Sequence, residues 1–390
     1  MILRLWLTFV VLLPVQFATG LGVRFAPSDL VAIVLALLLA AAGAWRLPRR
    51  MGSAWILAIV LLFAAGTIRA AVVDGAPSRY VVLQKDLGLL LLLLQYALVG
   101  AIVRDRGRAE LTLRAFVGSV AILNAIALAE YGASRAGWLD LAWMNYGQER
   151  VSGLLVDPNA YGGLLATALP FLIAPGQGER RLFGRRLGIL AQVSILAGVV
   201  LTYSRSAWVA VGLMLLYAAY RRPAAAARLG LASVGAILAL VAITGPEFLD
   251  ILREMGGRRA QVIARVETSW AAWAQFLEHP AFGVGLGWFR GGQDYIVHNT
   301  ALWFLAEMGV VGILAFLGLI GWMGRRAVLM LRHAPPEERG LALGLAGGFM
   351  AMLALSLGIE ALFQRHWWLL MGLLAAWPFE SERPAEVVGS

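Results

Sequence analysis

Long apolar runs recur along almost the whole chain, and they constrain its fold more than any motif does. A bilayer-crossing helix needs about 20 mostly apolar residues. Runs of that character lie at approximately 5–20, 29–45, 54–73, 86–103, 110–131, 159–175, 187–203, 206–220, 227–244, 299–323, 340–360 and 366–379. Of the 390 residues, 60% are hydrophobic and only 14% are charged, whereas average globular domains carry roughly 25% charge. A soluble fold cannot hide that much apolar surface, because much of any folded chain still faces water. A soluble enzyme, a disordered chain and a collagen-like repeat are therefore excluded. The sequence has no cysteine, which removes disulfide scaffolds, thiolate metal sites and a cysteine nucleophile. The expected fold is an all-α integral membrane protein of about 12 transmembrane helices, a single polytopic domain over 1–390.

Arginines orient these spans. With the N-terminus inside, the inner segments collect Arg46, Arg49 and Arg50; Arg104, Arg106 and Arg108; Arg180, Arg181, Arg185 and Arg186; and Arg325, Arg326, Arg332 and Arg339. The short outer loops are poorer in basic residues, so both termini are expected in the cytoplasm. The formal net charge of +10 then reads as a topology signal and not as a nucleic-acid footprint. The longest outer loop spans 245–298, and long loops between short hairpins usually carry function.

That loop holds an amphipathic pattern between spans nine and ten. Ile263, Val266, Trp270, Trp273 and Leu277 recur at helical spacing, opposite Arg258, Gln261, Arg265 and Thr268. Such a helix suits the membrane surface, with its arginines either facing a cavity or snorkelling to headgroups. Gly283-Val284-Gly285-Leu286-Gly287 follows without a strand–helix unit around it. It reads as backbone approaching a ligand or a helix, not as a dinucleotide loop. His298-Asn299 then heads span ten, where the positive helix end disfavours imidazolium and offers N–H donors to an anion; capping is the plainer role. Gly309 and Gly312, three apart on one face, would admit another helix.

Three more groups complete the outer face. Arg205 stands in the tight hairpin between spans seven and eight, either with an anionic partner or as a snorkelling turn residue. Asp157 or Asn159 caps span six. Arg365-His366 opens span twelve, and Glu307 lies one to two turns below His298 as a proton relay or an arginine partner.

In this order, Asp157-Pro158-Asn159, Ser204-Arg205-Ser206, Arg265, Gly283-Val284-Gly285 and His298-Asn299-x9-Gly309-x2-Gly312 resemble the O-antigen ligase and polymerase superfamily. The histidine–glycine pattern fits without a mismatch, whereas Val209 replaces the leucine expected four residues after Arg205. The resemblance implies a membrane glycosyltransferase of the ligase type in a bacterial inner membrane, with its site on the periplasmic face and no metal or other cofactor. The implied donor is a glycan on undecaprenyl diphosphate, and the implied acceptor is a sugar hydroxyl of lipid A–core. In that scheme His298 is the acceptor base. Arg205 and Arg265, with Arg258 or Arg365, hold the diphosphate, while Asn299, Gly309, Gly312 and Asn159 support them. One base opposite the leaving diphosphate predicts inversion. A repeat-unit polymerase needs the same donor pocket, and a lipid-linked glycan flippase is the rival from another class.

Overall fold

In a computed structural model of the protein, the described residues are 1–18, 24–74, 80–138, 145–146, 150–155, 157–176, 179–221, 223–244, 259–289 and 297–377. The architecture is all-α apart from two two-residue antiparallel pairs, Phe17–Ala18 with Arg24–Phe25 and Asn145–Tyr146 with Arg150–Val151. Chain order gives α1 (Ile2–Leu12), α2 (Pro27–Ala41), α3 (Ala54–Asp74), α4 (Leu87–Ile102), α5 (Arg106–Arg135), α6 (Pro158–Ala168) and α7 (Pro170–Ile173). It continues with α8 (Arg185–Leu201), α9 (Arg205–Arg221), α10 (Pro223–Thr244), α11 (Arg259–Glu278), α12 (Thr300–His333), α13 (Arg339–Leu355) and α14 (Arg365–Ala376). A π-helical turn, Val81–Asp86, leads into α4.

Each predicted run contains helix, but the span count is not matched. Among the described residues, five helical stretches are long and apolar enough to cross a membrane: Ala54–Val72, Val81–Ile102, Arg106–Arg135, Thr300–His333 and Pro336–Leu355. Ile2–Leu12 and Pro27–Ala41 are shorter apolar helices. Local chemistry accounts for several departures. The first run ends at Leu12, before Pro14. The sixth divides into α6 and α7 at Pro170, whose ring and missing N–H disturb a helix interior. The run at 340–360 stops at Leu355, so Glu360 lies outside that helix.

The last helix is the centre of the bundle. Residues 366–376 of α14 are all buried, as expected of a helix that is apolar on every face. Its 12 residues extend only about 18 Å at 1.5 Å per residue. Both ends are held by arginine. Arg365 pairs through two contacts, of 2.9 and 2.6 Å, with Asp29 on α2. Arg326 on α12 donates to the end-of-helix carbonyls of Leu374, Ala375 and Trp377, groups that no further helical turn can satisfy. Farther out, the Asn124 side chain ties three helices: it donates to the Ser194 carbonyl at 2.7 Å and accepts from the Tyr161 hydroxyl at 3.0 Å.

The feature that shapes the site is a break in α12. Gly309 has φ +67° and ψ −161°, left-handed backbone that a side chain disfavours. The chain after α11 enters this break and exchanges hydrogen bonds with it. Val310 N–H donates to the Pro280 carbonyl at 2.8 Å, and Val311 N–H to that of Ala281 at 3.3 Å. The Ala306 and Glu307 carbonyls, which a continuous helix would pair with those two amides, instead accept from Val284 at 3.0 Å and Gly285 at 3.1 Å. Leu286 N–H reaches the Gly66 carbonyl on α3 at 3.3 Å, and Gly287 N–H reaches Glu307 Oε2 at 2.8 Å. The expected helix-contact role of Gly309 and Gly312 is thus corrected. Gly309 admits a loop, with its Cβ position against the Ala281 carbonyl, and Gly312 lies under Met308 and Phe304 of its own helix. The Gly283–Gly287 segment does make the backbone approach expected of it, at a helix interior.

Gly309→Ala should therefore destabilise the protein by roughly 2–5 kcal/mol through backbone strain and overpacking. Gly321→Ala, later in the same helix and with open space at its Cβ position, should be neutral or stabilising by up to about 1 kcal/mol. Thermal unfolding of the two variants in one detergent checks this; equal effects would remove the break as the cause.

Candidate active site

Several helix termini meet at one end of the bundle. The starts of α6, α9, α12 and α14 and the ends of α8 and α13 lie on the same side, because these helices alternate in direction and pack on one another. Each terminus leaves polar backbone groups to satisfy, and the polar residues gathered here largely do so. Asp157 caps α6, accepting from Asn159 N–H at 2.8 Å, as the sequence suggested. Ser204 Oγ lies 3.4 Å from Ala207 N–H at the start of α9. Tyr203 between α8 and α9 is the only non-glycine with positive φ (49°) among the described residues, which allows the chain to reverse in so short a turn. Asn299 caps α12 through Leu302 N–H at 3.1 Å and donates to the Leu357 carbonyl at 3.2 Å.

A strap between α13 and α14 is clamped to the residues after His298. Thr300 N–H donates to the Ser356 carbonyl at 2.8 Å, Thr300 Oγ1 donates to Ile359 at 2.8 Å, and Ala361 N–H returns a bond to Thr300 Oγ1 at 2.9 Å. Glu360 is held between those two bonded residues.

The half-buried His298 ring lies in the fields of Arg265, Asp157 and Glu360. Burial first, and then the Arg265 charge, hold its pKa below the ordinary imidazole value; Asp157 and Glu360 oppose that shift. Such a ring is neutral near pH 7 and can accept a proton. Arg265 is itself pulled below the usual guanidinium value by burial and by Arg205, with Asp157 opposing. Arg265 thus lies in the fields of Arg205 and Asp157 and itself acts on His298, and cationic charge beside a neutral imidazole suits an anionic ligand.

The amphipathic reading of the long loop is matched by α11. Ile263, Val266, Trp270, Trp273 and Leu277 are exposed, whereas Thr268 and Ala272 are buried and Arg265 is partly buried. The helix packs on α12, and that contact brings Arg265 toward His298.

Arg365 is engaged by Asp29 at the head of α14, so its charge is already balanced. Arg258 lies outside the described residues. Asn159 takes a supporting position: its Oδ1 accepts from Arg150 at 3.1 Å, and Arg150 also donates to the Thr202 carbonyl at 2.8 Å. Arg150 thereby joins the head of α6 to the turn that carries Arg205. Among the described residues no arginine pairs with Glu307; it accepts from Gly287 and lies in the field of Lys85 and Glu360.

Three contributors were not singled out from the sequence: Arg150, Glu360 and Lys85. Lys85 lies in the π-helical turn, only 3% exposed. It pairs with Glu360 and stands 4.4 Å from the Trp303 ring centroid and 4.6 Å from that of Phe363. Cation–π contacts of this kind are strongest when desolvated. One signal was available, since Lys85 is the only lysine in a chain whose other basic residues are all arginine.

Residues 190–317 match the family described as O-antigen ligase. No curated protein matches the chain. The family segment contains Arg205, Arg258, Arg265, His298, Gly309 and Gly312; Asp157, Asn159, Glu360 and Lys85 reach the cluster from outside it. Over that segment the chain is similar to O-antigen ligases, and its apolar helices are long enough for several membrane crossings.

The opposing fields at His298 predict opposite effects on the acidic limb of the kcat/KM profile, which reports the free enzyme's base. Arg265→Met removes a charge that lowers the His298 pKa, so the limb should move to higher pH. Glu360→Gln removes a charge that raises it, so the limb should move to lower pH. Shifts in the same direction would show that the limb belongs to another group.

Proposed function

We propose that the protein is an O-antigen ligase-type glycosyltransferase that moves a glycan from undecaprenyl diphosphate to a sugar hydroxyl of lipid A–core. The observation that carries this reading is the convergence of Arg205, Arg265 and a low-pKa His298 from three separate segments at one helix-end cluster. The family match supports lipid-linked glycan transfer in general. The acceptor and the roles below are our own assignment.

In the proposed reaction the acceptor hydroxyl oxygen attacks the anomeric carbon, and its proton passes to a ring nitrogen of His298. The bond from that carbon to the diphosphate oxygen breaks, and undecaprenyl diphosphate leaves with the electron pair. A diphosphate is already a good leaving group, so no separate general acid is needed. Arg205 and Arg265, with Arg258 from the same loop, balance its charge through guanidinium–phosphate contacts. Attack opposite the leaving group inverts the anomeric centre. Arg365 is not assigned a donor role, because breaking its partly buried pair with Asp29 would leave that acid unbalanced. Asn299 and Asn159 hold the helix ends that present the site, while Gly309 and Gly312 permit the break below it.

In this reading the enzyme lies in a bacterial inner membrane, and the arginine distribution supports both termini in the cytoplasm with the His298 end at the periplasmic face. The exposed apolar stripe of α11 suits the outer boundary of that bilayer, where Trp270 and Trp273 would lie at headgroup level.

His298→Ala should lower transfer by about 10²–10⁴-fold, and Arg265→Ala by about 10²–10³-fold, in purified protein given donor with lipid A–core. Wild-type turnover in His298→Ala would remove the base. Glycan chains that grow without the core acceptor would reassign the enzyme as a repeat-unit polymerase. Movement of labelled donor across liposomes by the protein alone would instead favour a flippase.

A further inference from the structure

At the far end of α8 from the His298 cluster lies a cavity of about 350 Å³ between α7, α8 and α10. Its floor is apolar, from Leu172, Val193 and Ala232, while Ile189 and Leu231 at its edge are exposed. Two arginines, Arg181 and Arg185, line it at one end, and no acidic residue lines it among the described residues. Arg181 makes one long contact, 3.5 Å, to the Gly176 carbonyl. Arg185 is exposed and makes no ion pair among the described residues. Glu179, the nearest acid in the adjoining chain, accepts from Gly176 N–H at 2.8 Å and does not line the cavity. Gln192 is already satisfied by the Leu172 carbonyl at 2.8 Å.

An apolar channel with a doubly cationic mouth on a membrane helix bundle complements a molecule with a long hydrocarbon chain and an anionic head. The absence of side chain at Gly188 keeps the channel open: a Cβ built there meets nothing within 4 Å. We propose that this cavity binds an anionic glycerophospholipid, with its phosphate against Arg181 and Arg185 and one acyl chain lying over Gly188 between α8 and α10. The site lies on the arginine-rich side of the protein, where anionic lipid would be read by charge. It is separate from the residues assigned to glycan transfer.

The test uses full-length protein purified in a neutral detergent. Thermal unfolding and native mass spectrometry follow the addition of phosphatidylglycerol, phosphatidylcholine or a polyprenyl phosphate. Phosphatidylglycerol should raise the unfolding temperature and remain bound, and phosphatidylcholine should do neither. Gly188→Phe fills the channel without meeting a neighbour at its Cβ, and should abolish the phosphatidylglycerol shift. The Arg181→Gln/Arg185→Gln double variant should bind about thirtyfold more weakly, as two phosphate-facing charges are lost. Both variants should keep the wild-type unfolding temperature without lipid and the wild-type rate of glycan transfer in neutral detergent, which separates lost lipid from lost fold. An equal shift with phosphatidylcholine, or an unchanged phosphatidylglycerol shift in both variants, would overturn the proposal. So would displacement of phosphatidylglycerol by the polyprenyl phosphate, which would make the cavity a carrier-lipid site.

Discussion

A helix interrupted inside a membrane bundle must find partners for the backbone groups it frees, since hydrocarbon offers none. At Gly309 these partners come from the chain that leaves α11. The Val310 and Val311 amides go to Pro280 and Ala281, and the Ala306 and Glu307 carbonyls take the amides of Val284 and Gly285. This exchange anchors the end of α11 in the body of α12. The nine residues from Thr300 to Met308 set the anchor about 14 Å below the capped end, at 1.5 Å per residue. The helix α11 is held by its tail, and Arg265 is carried on it. The spacing between the motif histidine and its first glycine is therefore a length: the distance from the proposed base to the point where the long loop is tethered.

Charge is arranged with similar economy around His298. The imidazole lies in the field of one cation and two acids. Glu360 is in turn paired with Lys85, whose ammonium is enclosed by Trp303 and Phe363. Trp303 belongs to the first turn of α12 and Phe363 to the strap before α14, so the lysine cage also joins the two elements that flank the histidine. Lys85 reaches this position from a π-helical turn, a form that widens the backbone locally and is frequent at functional sites. A buried carboxylate without such a cation would be costly.

Some of this was legible in the residues. The amphipathic face of α11 follows from period alone, and its apolar residues are exposed where the pattern puts them. Asp157 and Asn299 cap the helices they precede, because short polar side chains before a helical run have few other uses. Other features were not legible, for identifiable reasons. A glycine pair three residues apart has the same pattern whether it admits a helix or marks a break, and only the positive φ of Gly309 distinguishes them. Arg365 stands at the expected helix mouth, but Asp29 lies 336 positions away in sequence, and no local pattern announces a pair that distant. Lys85 was hidden for the same reason: its role depends on Glu360, Trp303 and Phe363.

The sequence by itself determined that the chain is helical and membrane-embedded, since its apolar runs are too many and too long for water. It also determined which helix ends carry polar chemistry, because most charges in such a chain sit at helix termini and in loops. The tertiary structure decided which of those termini meet. Arg205, Asp157, Arg265 and His298 are separated by tens of residues, and their shared field arises from helix packing and from the loop tethered at Gly309. Local propensity acts over one or two turns of backbone, whereas a charge cluster of this kind depends on distances between helices, which only the packed bundle sets.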